Sequence, residues 1–178
     1  PYELERYKLG DKAMRTPEFR QVHPLGRVPC LDDGDVRIFE SGAIVQYVLA
    51  RYGDGRLAPA VDAPEFAAYL QWLHFAEGMI MPPVNTIIVE TLLLPPERRN
   101  QDNVDQARKL LTRSLEAVET ALAGQEFLAG QFSGADIMTG HACIVAAKLG
   151  ADISSMPNVA GYIARLNARP ALSKSWDA

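Results

Sequence analysis

The stretch that most restricts the fold is Gly26-Arg27-Val28-Pro29-Cys30-Leu31, which precedes an acidic turn and then Phe39-Glu40-Ser41-Gly42-Ala43-Ile44. Proline has no N–H to give a β-ladder, so Val-Pro at the head of an apolar run belongs at a sheet edge or a bend. Asp32-Asp33-Gly34-Asp35 separates two short apolar segments, residues 28–31 and 36–39, in the pattern of a hairpin. After Phe39 the period becomes helical. Ile44, Val45, Val48, Leu49 and Tyr52 fall on one face, and Gly53 supplies the stop.

Two readings of Val28-Pro29 stay open on these residues. A cis bond would turn the chain sharply and leave the Val28 N–H and C=O facing outward, able to pair with another extended backbone. A trans bond would make an ordinary edge strand with a proline at its rim. Ser41 falls near the helix N-cap, where its hydroxyl and the unpaired N–H groups of the first turn form an anion site. Glu40 beside it can hold an ammonium. A ligand with an α-amino and an α-carboxylate group satisfies both, whereas a plain serine cap with an acidic neighbour explains the same residues without a ligand.

Taken together, Val28-Pro29, the hairpin and Glu40-Ser41-Gly42-Ala43-Ile44 resemble the glutathione-binding half of the glutathione S-transferase family, in its bacterial-type cytosolic form. The approach agrees, since Thr16-Pro17-Glu18-Phe19 opens a short helix and His23-Pro24-Leu25-Gly26 leads into the strand. The resemblance covers essentially the whole chain. It implies an α+β thioredoxin-like N-terminal domain, here incomplete, followed by an all-α helical-bundle domain. By position, it gives the cysteinyl backbone of glutathione to Val28 ahead of a cis Pro29, and the γ-glutamyl end to Glu40 and Ser41. Arg27, two positions before Pro29, becomes a candidate polar contact, with Lys8 and Lys12 behind it. A solvated surface arginine is the plain alternative.

One departure bears on catalysis. The family's first domain runs βαβαββα, and this sequence begins at the second strand, residues 2–7, so about 20 residues of strand and helix are missing. Without that strand, residues 2–7 and 28–31 would expose unpaired edges. The serine, tyrosine or cysteine that activates the glutathione sulfur in this family lies in the same stretch. No catalytic residue is therefore assigned among the 178 positions, and the chain reads as part of a longer protein.

Composition narrows the alternatives. A hydrophobic content of 48% and a charged content of 22% are those of an ordinary globular protein. A net charge of −4 argues against non-specific nucleic-acid binding, and no apolar run reaches the ~18–20 residues that span a bilayer. Cys30 and Cys143 have neither metal nor redox spacing, so both read as small buried hydrophobes in a reducing cytoplasm. His23, His74 and His141 form no metal spacing.

The chain divides into residues 1–53, a turn-rich linker over 54–63, and a helical part over 64–178. Asp62-Ala63-Pro64-Glu65 has capping-box spacing and would open a helix over 64–90, kinked or interrupted at Pro82-Pro83. A helix over 103–123 carries the stripe Ala107, Leu110, Leu111, Leu115, Val118 and Leu122. Ser133-Gly134-Ala135-Asp136 forms another capping box, with Phe132 and Ile137 as its staple, and opens a central helix. One more helix follows over 157–167. Trp72, Phe75 and Met79 share a face; core packing, a dimer seam or an electrophile pocket each fit, and Met79 is the one substrate-side candidate. The function implied by the resemblance is thiolate transfer from glutathione, as co-substrate, to small hydrophobic electrophiles in a homodimer. A glutathione-dependent disulfide reductase or isomerase, and a non-catalytic interaction module, are the alternatives.

Overall fold

In the computed structural model, which describes residues 2–176, the hairpin forms where the sequence puts it. Strands β1 (Cys30–Asp33) and β2 (Val36–Phe39) pair antiparallel, with Cys30 opposite Phe39 and Asp33 opposite Val36. Gly34 closes the turn at φ +60°, the left-handed value that the first position of a II′ hairpin needs. Across the strands Arg37 grips Asp32 through Nε and Nη2 at 2.6 and 2.7 Å, and this draws the Asp32 pKa down. Both groups are well exposed, so the pair sets register more than it adds stability.

Helix α2 (Ser41–Tyr52) begins one residue after β2. Asp33, at the end of the hairpin, clasps it by accepting hydrogen bonds from the Tyr52 hydroxyl and from the Tyr47 hydroxyl at 2.8 Å. Those two donors, with Arg51 at 3.5 Å, hold the Asp33 carboxyl below its ordinary range.

Residues 2–7, expected as a strand, form none. The sheet among the described residues has two strands, and a strand with no neighbour has nowhere to place its N–H and C=O groups. Tyr7 anchors the segment, its ring edge-on to Phe19 at 4.9 Å. A 3₁₀ turn (Lys12–Arg15) and the short helix α1 (Phe19–Val22) then lead to the hairpin. The incomplete sheet also leaves the apolar face of α2 open: Val48 and Tyr52 are 38% and 51% exposed, and no residue of α2 is buried. Among the described residues up to Ala60, only Phe19, His23 and Gly53 are buried.

The hydrophobic core belongs to the helical domain. Helix α3 (Phe66–Phe75), a π-helical turn (Ala76–Ile80), α4 (Met81–Ile88) and a second π-helical turn (Val89–Leu93) form one continuous helical run. The Asp62 capping box does not form. Residues 61–65 fold as successive turns, Ala63 N–H to Ala60 C=O and Phe66 N–H to Ala63 C=O, which leaves Asp62 too early to cap. Pro82 and Pro83 do not end the run either. They sit in the first turn of α4, after the π-helical turn, where a missing N–H has least consequence.

Helix α5 (Gln101–Ala121) starts two residues earlier than expected, because Asn100 caps it through the N–H groups of Asp102 and Asn103. Glu90, buried in the second π turn, secures that end by accepting from Asn103 Nδ2 at 2.7 Å and Asn100 N–H at 2.8 Å. The predicted stripe is buried except for Leu110, which is 45% exposed. Helices α6 (His141–Lys148), α7 (Pro157–Asn167) and α8 (Pro170–Trp176) complete the domain, with Leu73, Ile80, Leu115, Ile144 and Tyr162 at its centre.

A third π-helical turn (Asp136–Gly140) precedes α6, and the Ser133–Asp136 box that opens it is formed. Asp136 Oδ2 accepts from Ser133 N–H at 2.8 Å, while Ser133 Oγ accepts from Ala135 N–H at 3.3 Å. The same carboxylate reaches further than the box. Its Oδ1 accepts from Leu128 N–H at 3.0 Å and from the Tyr162 hydroxyl at 2.8 Å, so one buried group ties the 128–133 loop to α7. Burial first, and then the Asp136 charge, push the Tyr162 phenol up, which keeps it a donor. Asp136→Ala strands these buried donors and should lower unfolding stability by about 3 kcal/mol or more, measured by urea denaturation. A loss under 1 kcal/mol would show that the loop repacks without it.

Candidate functional site

Three features bring the predicted residues to one end of the hairpin. His23 is buried against Phe39, ring centroids 4.7 Å apart, and its Nδ1 accepts from Leu25 N–H. Gly26 N–H then bonds back to the His23 C=O at 2.9 Å, and Gly26 takes φ +63°. A Cβ there would stand 2.3 Å from the Met14 carbonyl oxygen, so no other residue fits the turn. Beyond it the chain runs outward through Arg27, Val28 and Pro29, and the Val28–Pro29 bond is cis. Val28 is 51% exposed, and its backbone N–H and C=O bond to no described residue. Arg27 is exposed and unpaired among the described residues. Cys30 turns the other way, its thiol donating to the Val22 carbonyl at 3.6 Å.

The second feature is the start of α2. Glu40, not Ser41, is the capping residue, and Ser41 is the first helical residue. Glu40 holds φ +76°, a left-handed value that an L side chain seldom adopts and that costs about 1–3 kcal/mol. The first N–H bonded within the helix is that of Ile44, to the Glu40 C=O at 2.9 Å. The N–H groups of Ser41, Gly42 and Ala43 therefore find no acceptor among the described residues. The Glu40 side chain is exposed and makes no hydrogen bond or ion pair there.

The third feature comes from the helical domain. Ser41 Oγ donates to the carboxylate of Glu77 at 2.8 Å, across 36 residues of chain. Glu77 lies in the first π-helical turn and is exposed. Sequence reading missed it. The only available signal was a lone acid on a helix otherwise read for its apolar face. Met79, two residues on, is 54% exposed, and its backbone carbonyl accepts from Ser114 Oγ. His141 stacks on Trp176 at 5.4 Å, with the Lys148 ammonium 3.6 Å from the centre of the same ring.

Among the described residues no three His, Cys, Asp or Glu side chains group as metal ligands, and no helix is long and apolar enough to cross a membrane. A cavity of about 720 Å³ lies between residues 55–60 and 129–133 and includes none of the residues above.

Comparison with known proteins identifies the family. The family model described as glutathione S-transferase, N-terminal domain, matches residues 1–50, and that for the C-terminal domain matches residues 80–170. Glutathione S-transferase 4 of Zea mays is 36% identical over 183 residues, covering 97% of this chain and 79% of that protein. Among solved structures, glutathione transferase URE2P6 from Phanerochaete chrysosporium, in complex with oxidized glutathione, superposes with a TM-score of 0.88. It is 28% identical and covers 99% of this chain and 84% of its own. Ure2p5 from the same organism, cocrystallized with 1-(S-glutathionyl)-2,4-dinitrobenzene, gives a TM-score of 0.81 at 26% identity, covering 90% of this chain and 78% of its own. The chain belongs to the glutathione S-transferase family, with a thioredoxin-like N-terminal domain that lacks its first strand and helix and an all-helical C-terminal domain.

Proposed function

We propose that this protein binds glutathione across Val28 and the start of α2 and transfers its sulfur to small hydrophobic electrophiles. The observation that carries the reading is the pairing of unsatisfied backbone groups. An exposed Val28 lacks backbone partners, and three N–H groups open beside Glu40 and Ser41. Glutathione supplies what both lack. Its cysteinyl N–H and C=O pair with Val28 as a short antiparallel strand, with Pro29 setting the direction of the chain. Its γ-glutamyl carboxylate takes the helix N–H groups and Ser41, and its ammonium faces Glu40. Arg27 stands at the edge to meet a remaining polar group of the peptide. A thiol with pKa near 8.5 must be stabilised as the anion before it attacks, and in this family that donor comes from the first strand and helix.

A relative cocrystallized with a thioether of glutathione and a dinitrophenyl ring supports the transfer reading, and one in complex with oxidized glutathione keeps disulfide reduction as the second reading. Met79, exposed two residues beyond Glu77, is the candidate for the electrophile side. Glu40→Ala should weaken glutathione binding about tenfold by calorimetry, the worth of one charge-assisted hydrogen bond. Conjugation to an aryl halide should exceed turnover of a small mixed disulfide. Undetectable glutathione binding, unchanged in Glu40→Ala, would overturn the enzymatic reading.

The assembly we propose is a homodimer joined through α2 and the helical run from α3 to Leu93. Val89, Leu92 and Leu93, at the end of that run, stand 40–61% exposed, an apolar patch for a partner to cover. Sedimentation should give twice the chain mass; a monomer at micromolar concentration would contradict it.

A further inference from the structure

We propose that the cavity between the interdomain linker and the 128–133 loop is a second binding site, apart from the one at α2, for a small zwitterion with an apolar body: a hydrophobic dipeptide.

The walls of this cavity are fixed by the chain. Linker residues 55–60 form one side and residues 129–133 the other, around about 720 Å³, within the size range of small-molecule sites and at a domain junction where such sites concentrate. Leu57, on the first wall, holds φ +63°, a left-handed value that a leucine seldom adopts. Its carbonyl accepts from Gly134 N–H at 2.8 Å, which ties that wall to the residue following the second. Buried Asp136 secures the second wall through Leu128 N–H at 3.0 Å and Ser133 N–H at 2.8 Å. The Arg169 guanidinium, 3.5 Å from the centre of the Phe132 ring, holds that side chain in place. A ligand entering here has little protein to reorganise.

Two lining side chains carry charge that nothing in the described chain answers. Arg56 Nε donates to the Gly53 carbonyl at 3.0 Å, which orients the guanidinium and leaves its Nη groups without a partner among the described residues. Glu65 makes no side-chain hydrogen bond or ion pair there. Much of the remaining lining is apolar, from Leu57, Ala58, Pro59, Ala129 and Phe132. A plain anion would answer Arg56 and leave Glu65 bare beside it, and a plain cation would do the reverse. A molecule with both charges answers both: its carboxylate takes two parallel N–H bonds from Arg56, and its ammonium donates to Glu65. Arg56 and Glu65 are too far apart to pair with each other, whereas the two charges of a free amino acid share one carbon. A dipeptide separates its ends by up to about 7 Å and brings two side chains for the apolar lining. Glutathione, with a second carboxylate and little apolar side chain, fits poorly, which sets this cavity apart from the site at α2.

The test is calorimetry with leucyl-phenylalanine, its Nα-acetyl form and its C-terminal amide, with and without saturating S-hexylglutathione to fill the site at α2. The dipeptide should bind once per chain, equally well in either condition, and about fivefold more tightly than either blocked form. Arg56→Gln should remove its advantage over the amide, and Glu65→Gln its advantage over the acetyl form. Both positions are exposed, and circular dichroism of each variant verifies that it folds as the wild type does. No binding at millimolar dipeptide, displacement by S-hexylglutathione, equal affinity for the three forms, or folded variants that keep the wild-type preferences would each overturn the assignment.

Discussion

The geometry of the candidate site depends on the contacts that hold the start of helix α2. None of its residues is buried, yet its first turn must be held still for Glu40 and Ser41 to act together. Support comes from both sides. The hairpin clasps it through Asp33, Tyr47 and Tyr52, and the helical domain meets it through Val45 and through Ser41 to Glu77. A further tie runs from Gly134 N–H to the Leu57 carbonyl, between the linker and the loop that Asp136 organises. The large core of the second domain thus steadies the start of α2.

The division of labour matches the chemistry. Groups that hold structure are buried and satisfied, as Asp136 is by Leu128, Ser133 and Tyr162, and as Glu90 is by Asn100 and Asn103. Groups offered to a ligand are exposed and unsatisfied, as are the Val28 backbone, the first N–H groups of α2 and the Glu40 carboxylate. Exposed groups of this kind are hydrated in the free protein and open to a ligand. Backbone strain also falls outside the core, at Glu40 and at Asp54 and Leu57 of the linker.

Much of this was legible in the sequence because the signals are local. The Asp-Asp-Gly-Asp turn, the helical period after Phe39 and the Ser133–Asp136 box each depend on residues within a few positions of one another, and each formed. The failures came where a neighbour decides. Residues 2–7 have strand character but no ladder to join, and the apolar face of α2 has no sheet to cover it. Asp62 has capping-box spacing, yet two successive turns move the helix start beyond its reach. Pro82-Pro83 signals an interruption of the α-helix, but the π-helical turn that carries the run on into the prolines leaves no pattern in composition. Glu77 could not be assigned to Ser41 from spacing, since their meeting depends on how two domains pack.

The central claim concerns where a tripeptide lies, and a crystal structure of the protein with S-hexylglutathione, which cannot react, tests it most directly. The account predicts the cysteinyl backbone antiparallel to Val28, with the γ-glutamyl head at Glu40 and Ser41. Density for the inhibitor elsewhere, with α2's first turn left empty at saturating ligand, would contradict it.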